Sequence, residues 1–243
     1  MLGGTKGARL VGTAMPSATF QSEAGRQSKA DRVYLSLKQA IVSGELPPNA
    51  LIDKLELSAR FQVSRLSVTA AVNRLAFEKL VFVEPQRGSY VAKIRLSDAR
   101  QWMLVRRALE MEVVATCARE LPDAAIERLG RNVAYQRTAL DAGDMQGFHE
   151  LDTVLHLQLV DALGWGRVAE ILDPVRTHLE RVRRTLLPEP GRMERTFAEH
   201  QEIYRAIAAR EPDAAREAME RHLNQVLREL EIFVTRHPGF FEA

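Results

Sequence analysis

Apolar residues along this chain recur mostly with a helical period, interrupted once by two short β-rich runs. Val33, Leu37, Ala40 and Ile41 lie about one helical turn apart and predict a first helix. Gly44 suits a left-handed cap at its end, and Pro47-Pro48 blocks its continuation. A second short helix is predicted over residues 55–61. Ser64 then stands where an N-cap belongs, and Val68, Ala71, Val72 and Leu75 give a third helix its buried stripe. Leu80-Val81-Phe82-Val83 and Tyr90-Val91 flank a turn at 85–88, which reads as a hairpin. Three helices and a hairpin over 31–95 make a winged helix-turn-helix.

From residue 97 onward the period is helical throughout. Ser97 is the expected N-cap of a helix running through Arg119. Pro122 fits the first turn of a helix ending near Ala142. Gly143 stops that helix, and Asp144 caps the next, which runs to about Leu163. Gly164 and Gly166 break it. Further helices are predicted over about 167–187, 192–209 and 212–235, with Pro188, Pro190 and Pro212 as punctuation. Six amphipathic helices with short links predict an antiparallel bundle over 97–235, so the fold class is mainly α. Residues 1–30, rich in Gly, Ser, Ala and Thr and without a period, are predicted to be a disordered tail.

Composition narrows the class. A hydrophobic content of 46% and a charged content of 27% across 243 residues support packed cores. A single cysteine, Cys117, precludes an internal disulfide and fits a reducing, cytoplasmic setting. No apolar run approaches the roughly 18 residues of a membrane span. The N-terminus carries Lys6 and Arg9 with no apolar stretch behind them, unlike a secretory signal. The net charge of +2 is unevenly spread: residues 31–95 hold ten Lys/Arg against six Asp/Glu, and residues 96–243 hold 20 against 25. A basic N-terminal third places polyanion binding there.

Helix-turn-helix readers lay the start of their second helix against base edges. Arg65 stands at that start and has the fork of donors that matches guanine O6 and N7. Ser67, Thr69 and Asn73 lie off the buried stripe and are expected to face outward. Ser64 suits a phosphate at a helix start. In the wing, Arg87-Gly88-Ser89 is expected to approach the DNA backbone closely.

The segment AIVSGELPPNALIDKLELSARFQVSRLSVTAAVNRLAFEKLVFVEPQRGSYV resembles the DNA-binding domain of GntR-type bacterial transcription regulators. Gly44, Leu46, Pro48, Leu57, the Val63-Ser64-Arg65 turn, Val68, Leu75, Leu80, Val81, Gly88 and Val91 fall where that family has matching residues. Two positions depart from it. Ser67 stands where the family commonly has Pro, and Thr69 where it commonly has a DNA-contacting Arg. Arg65 is thereby left as the main candidate base reader.

The remainder is similar to the FadR-like branch of that family, whose effector domain is called FCD. The similarity rests on VRRALEMEVVATCA (105–118), on DTVLH running into ALG (152–164), on EHQEIYRAI (199–207) and on RHL (221–223). It implies a divalent metal held by an Asp and three His, which here are Asp152, His156, His200 and His222. Asp152 and His156 are four apart and share a helical face. Imidazole and carboxylate suit Zn²⁺ foremost, with Ni²⁺ or Mn²⁺ as alternatives. His149 shares that face and is an alternative ligand, while His178 and His237 read as surface residues. The resemblance further implies a small carboxylate effector, with Arg106 as its partner or else paired with Glu110. The family has Gly-Asn where Gly164-Trp165 stands, so Trp165 is expected to alter that turn.

The implied protein is a ligand-responsive repressor acting as a homodimer on a palindromic operator in double-stranded DNA, in the bacterial cytoplasm and on the nucleoid. The short link at 93–97 would couple its two parts. It is not read as an enzyme. A helical-bundle metalloenzyme is the rival reading, against which stand the lack of a nucleophile motif, a Gly-rich phosphate loop and paired Glu-x-x-His motifs. A DNA binder without sequence preference is the other rival.

Overall fold

The computed structural model describes residues 28–186, 191–236 and 241–242. The chain divides into two compact units, with the boundary between Ile94 and Arg95. Most of the predicted tail lies outside the described residues. Its last three residues are helical or capping, so the tail prediction ran too far. Ser28 caps α1 (Lys29–Val42) with a reciprocal box. Its Oγ accepts from Asp31 N, while the Asp31 carboxylate accepts from Ser28 N.

The first unit continues with α2 (Lys54–Phe61), α3 (Arg65–Phe77), β1 (Val81–Glu84) and β2 (Gly88–Val91). Asp53 Oδ1 accepts from the amides of Leu55 and Glu56 and so starts α2. Gln62, in the left-handed region with φ 51°, ends α2 and makes the turn tight. Ser58 Oγ donates to Val63 O at 2.6 Å and pins that turn. The four stripe residues of α3, Val68, Ala71, Val72 and Leu75, are buried. They share a core with Val33, Leu37, Ile41, Leu80 and Val91. The hairpin is antiparallel, with Val81 opposite Val91 and Glu84 opposite Gly88. Gly88 sits at φ +141°, and a Cβ there would stand 3.0 Å from Leu51 Cδ1, so the turn needs a residue without one. This is a winged helix-turn-helix.

The second unit is a helical bundle of α4 (Leu96–Glu120), α5 (Asp123–Asp141), α6 (Met145–Ala162), α7 (Gly166–Leu186), α8 (Arg192–Ala208) and α9 (Pro212–Arg236), followed by a two-residue strand at Phe241–Glu242. Ser97 is not the N-cap of α4. It lies inside the helix, Arg95 takes the cap position, and no side chain caps it. Pro122 precedes α5 as its N-cap, and Asp144 Oδ1 accepts from Gly147 N at the start of α6. α7 carries Pro174 inside it, which helical spacing did not flag. Pro188 and Pro190 fall outside the described residues. α9 packs along α4 and α8, α5 packs on α6 and α8, and α7 packs on α4. Val113, Cys117, Leu129, Leu159, Leu172, Ile203, Ile207 and Leu223 are among the residues that fill the interior. Among the described residues no helix is long and apolar enough to cross a membrane.

Candidate functional site

Asp152, His156, His200 and His222 come together inside the bundle, from α6, α8 and α9. All four are buried, and one ligand atom from each lies within 4.8 Å of the others. The periodicity explains the convergence. Leu155, Leu159 and Val160 bury one face of α6, and Asp152 and His156 belong to that face. Ile203 and Ile207 carry His200 inward on α8 in the same way. His200 Nε2 lies 3.2 Å from Asp152 Oδ1. Ring centroids are 4.8 Å apart for His200 and His222, and 5.3 Å for His156 and His222.

The second ring of contacts tells which nitrogen each histidine turns to the centre. His200 Nδ1 faces Gln136 Oε1 at 2.8 Å, and His222 Nδ1 faces Glu199 Oε2 at 2.7 Å. His156 Nδ1 lies 2.8 Å from Glu110 Oε2, close but poorly aligned for a hydrogen bond. Each Nδ1 of the three therefore meets an oxygen, which turns the opposite edge of each ring, with its Nε2, away from that oxygen. Metal-bound histidines have this arrangement, with the outer N–H held by a carboxylate or amide. His156 Nε2 is buried with no hydrogen-bond partner. Leaving such an atom unsatisfied costs about 1–3 kcal/mol, and an ion at the centre would remove that cost. Two ligands of one first-row ion sit up to roughly 4 Å apart, so the four donors need contract only slightly to hold one. Three nitrogens and one carboxylate oxygen fit Zn²⁺, Ni²⁺ or Mn²⁺.

Charges around the cluster are paired. Arg106 and Glu110, both buried, meet at 2.9 Å between Nε and Oε1. Arg106 thus pairs with Glu110, one of the two expected arrangements, but inside the bundle rather than on its surface. Burial opposes ionisation of Glu110, but Arg106 and His156 outweigh it and hold the carboxyl below its ordinary range. Burial lowers the pKa of His156 against the pull of Glu110, which favours the neutral ring that a metal needs. Burial pushes Glu199 up to about 7, against Arg192 and Arg195. Arg176 donates from Nη2 to His156 O at 3.3 Å and adds a cation beside the cluster.

Other histidines are placed differently. His149 is buried on α6 but pairs with Glu180 and is not in the cluster. His178 is no plain surface residue: its ring stacks on Trp102 at 7° between planes. His237 lies outside the described residues. Trp165 packs, partly buried, against the bundle core.

In the first unit the outward face of α3 bears Arg65, Leu66 and Asn73, all exposed, with Ser67 and Thr69 half-buried. Ser64 Oγ accepts from Ser67 N at 3.2 Å, so its hydroxyl serves the helix first. Arg87 is exposed on the wing, with an ion pair to Glu84 at 3.7 Å. Ser89, expected at the DNA backbone, does not face outward. It is 1% exposed, its side chain turned inward from the pleat, and cannot offer its hydroxyl to DNA. Arg74 is occupied too, stacked over the Tyr34 ring at 3.7 Å and paired with Asp31. Gln136, Asn132 and Arg176 belong to no motif in the sequence, and Glu199, inside the EHQEIYRAI block, was given no role. Leu66 was passed over as well, though its position in the motif would have marked it.

Comparison with known proteins agrees with this division. Residues 29–91 match the family of bacterial regulatory proteins, gntR family, and residues 101–225 match the FCD domain. The chain is 33% identical over 221 residues, 89% of its length and 91% of the relative's, to an HTH-type transcriptional regulator in an unstable DNA locus of Streptomyces ambofaciens. It is 29% identical over 195 residues, 80% of its length and 86% of the relative's, to the HTH-type transcriptional repressor RspR of Escherichia coli K12. Its fold resembles that of a transcriptional regulator GntR from Rhodococcus sp. RHA1, with a TM-score of 0.71 and 23% identity, covering 84% of this chain and 98% of that one.

Proposed function

The chain belongs to the GntR family of bacterial regulatory proteins and carries an FCD domain, and from that premise we propose that it is a metal-dependent, carboxylate-sensing transcriptional repressor. The family and the relatives are DNA-binding transcription regulators, not enzymes. The four-residue cluster inside the bundle is the observation that carries the sensing part.

Asp152, His156, His200 and His222 would hold one divalent ion, Zn²⁺ foremost. When bound, that ion supplies a Lewis-acidic centre with a coordination position open to an anion. The charge of the surroundings supports an anionic effector. With Glu199 in the protonated form that burial favours by pushing it up to about 7, Asp152 offsets one charge of a dication, the histidines are neutral ligands, and Arg106 and Glu110 cancel one another. One positive charge remains in a buried site, and Arg176 adds another nearby. A small carboxylate would complete the shell and lower that cost. Arg176 is a better placed cation for it than Arg106, which Glu110 already occupies.

On the DNA side, Arg65 and Leu66 at the start of α3 read base edges, Ser67, Thr69 and Asn73 support them, and Arg87 and Gly88 of the wing meet the phosphate backbone. Ser64 contributes its helix-start backbone more than its hydroxyl. Two copies paired about a two-fold axis would match a palindromic operator. An effector that binds one conformation better shifts affinity for DNA, and DNA shifts affinity for the effector by the same factor. Such a protein works in the cytoplasm.

Gel retardation of DNA from upstream of the protein's own coding sequence, at stated salt and with zinc present, tests this. Retardation of one palindromic fragment, reversed by a small carboxylate, is expected. No retardation of any upstream fragment at low salt would overturn the regulator reading. Retardation that no acid reverses would overturn the carboxylate part alone.

A further inference from the structure

We infer that Asn132 and Gln136, two buried amides on α5, set the tautomer of His200 and so aim its Nε2 lone pair at the cluster. They are positioning residues, one helical turn apart, and neither is itself a ligand of the cluster.

A backbone carbonyl oxygen can only accept a hydrogen bond. Asn132 Nδ2 donates to Leu151 O at 3.0 Å, which turns Asn132 Oδ1 the other way. That oxygen accepts from Gln136 Nε2 at 2.7 Å. Gln136 is then left with its own Oε1 toward His200 Nδ1, at 2.8 Å. An oxygen at that distance requires the ring proton on Nδ1. Turning either amide over would set two acceptors or two donors against each other at one or two of the three contacts, inside a core where the loss is largest.

The consequence appears on the other side of the ring. Without the relay, His200 could carry its proton on Nε2, where Asp152 Oδ1, 3.2 Å away but off the line of that N–H, could accept it after a small rotation of either side chain. That tautomer closes the site on itself and blocks one ligand nitrogen. With the relay, an unprotonated imidazole nitrogen and a carboxylate oxygen stand 3.2 Å apart, an arrangement that a cation beside them relieves. The relay also starts at Leu151, the residue before Asp152, so one chain of hydrogen bonds holds a ligand on α6 and a ligand on α8 in register.

The inference rests on the metal reading of the cluster, but the tautomer can be read without any metal. The full chain, labelled with ¹⁵N-histidine and stripped by chelator, would be measured by long-range ¹H–¹⁵N correlation, with His200→Asn assigning the His200 signals. The Nδ1–H form is expected in the wild type. Gln136→Leu should convert His200 to the Nε2–H form and weaken zinc about 10–100-fold in chelator competition. Gln136→Glu, whose carboxylate can only accept, should keep Nδ1–H. Asn132→Leu, which lets the Gln136 amide turn over, should raise the Nε2–H population. An Nε2–H tautomer in the metal-free wild type would overturn the relay, and that result does not depend on any variant folding. Wild-type tautomer and zinc affinity in Gln136→Leu would overturn it as well. A wild type that keeps Nδ1–H yet takes up no zinc would support the relay and remove the metal reading alone.

Discussion

Glu110 on α4 stands between Arg106 and His156, with one carboxylate oxygen 2.9 Å from Arg106 Nε and the other 2.8 Å from His156 Nδ1. An ion pair thus supports a ligand of the candidate metal centre from behind. Removing one member strands the other as a buried charge. Arg106→Met is expected to cost about 3–5 kcal/mol in denaturant unfolding. Glu110→Gln strands Arg106 in the same way and should in addition weaken zinc roughly 10-fold by chelator competition, because His156 loses its carboxylate. The double variant should cost less than the two singles added, since the pair leaves together. Additive losses would mean that the two residues act separately.

Ser89 supplies a second test, on the wing. Its hydroxyl is buried and makes no hydrogen bond. A buried hydroxyl without a partner is a cost, so Ser89→Ala should leave thermal stability unchanged or raise it by up to about 1 kcal/mol. DNA affinity should stay at the wild-type level, while Arg87→Ala on the same turn should lower it and flatten its salt dependence. Loss of DNA affinity in Ser89→Ala would return this residue to the interface.

These two examples show what the sequence could and could not reveal. Local rules were enough for the α3 stripe, for the caps at Ser64 and Asp144, and for the shared face of Asp152 and His156. Each depends on spacing within one helix. Ser97 misled because a capping residue type can also sit inside a helix, and α4 begins one residue before it. Ser89 misled because a single step in strand register exchanges inside for outside. The roles of Gln136, Asn132 and Glu199 were hidden for another reason. Their partners lie 64, 19 and 23 residues away in sequence, on other helices, and nothing local distinguishes a buried Gln from a surface one.

Cys117 gives a prediction in alkali. Its thiol is buried in α4 and donates to Leu159 O at 3.4 Å. Burial, reinforced by Glu120, pushes its pKa up to about 12. A group whose folded pKa is raised contributes stability that is complete below its unfolded pKa and is lost as pH climbs toward the folded one. The Cys117 contribution should therefore vanish between about pH 9 and pH 12, and Cys117→Ala should show a shallower loss of stability across that window. At pH 8 the native thiol should react with a disulfide reagent only as fast as the protein unfolds. Rapid labelling under native conditions would show that the site is open.

Leu66 is 79% exposed at the first turn of α3, beside Arg65, where a helix of this kind meets base edges. A leucine left in water there gains nothing in the free protein. Against DNA, it matches the one apolar group in the major groove, the thymine 5-methyl. Covering a methyl group contributes about 0.8 kcal/mol, or roughly fourfold in affinity. A binding site selected from random DNA by the wild-type protein provides the ligand for the test. Uracil replaces thymine one position at a time, removing only the methyl. One replacement in each half-site should weaken the wild type about fourfold. Leu66→Ala should bind thymine DNA as weakly as the wild type binds the uracil DNA, and should no longer distinguish the two. Equal sensitivity to uracil in both proteins would assign the methyl contact to another residue, and no sensitivity in either would leave Leu66 outside the interface.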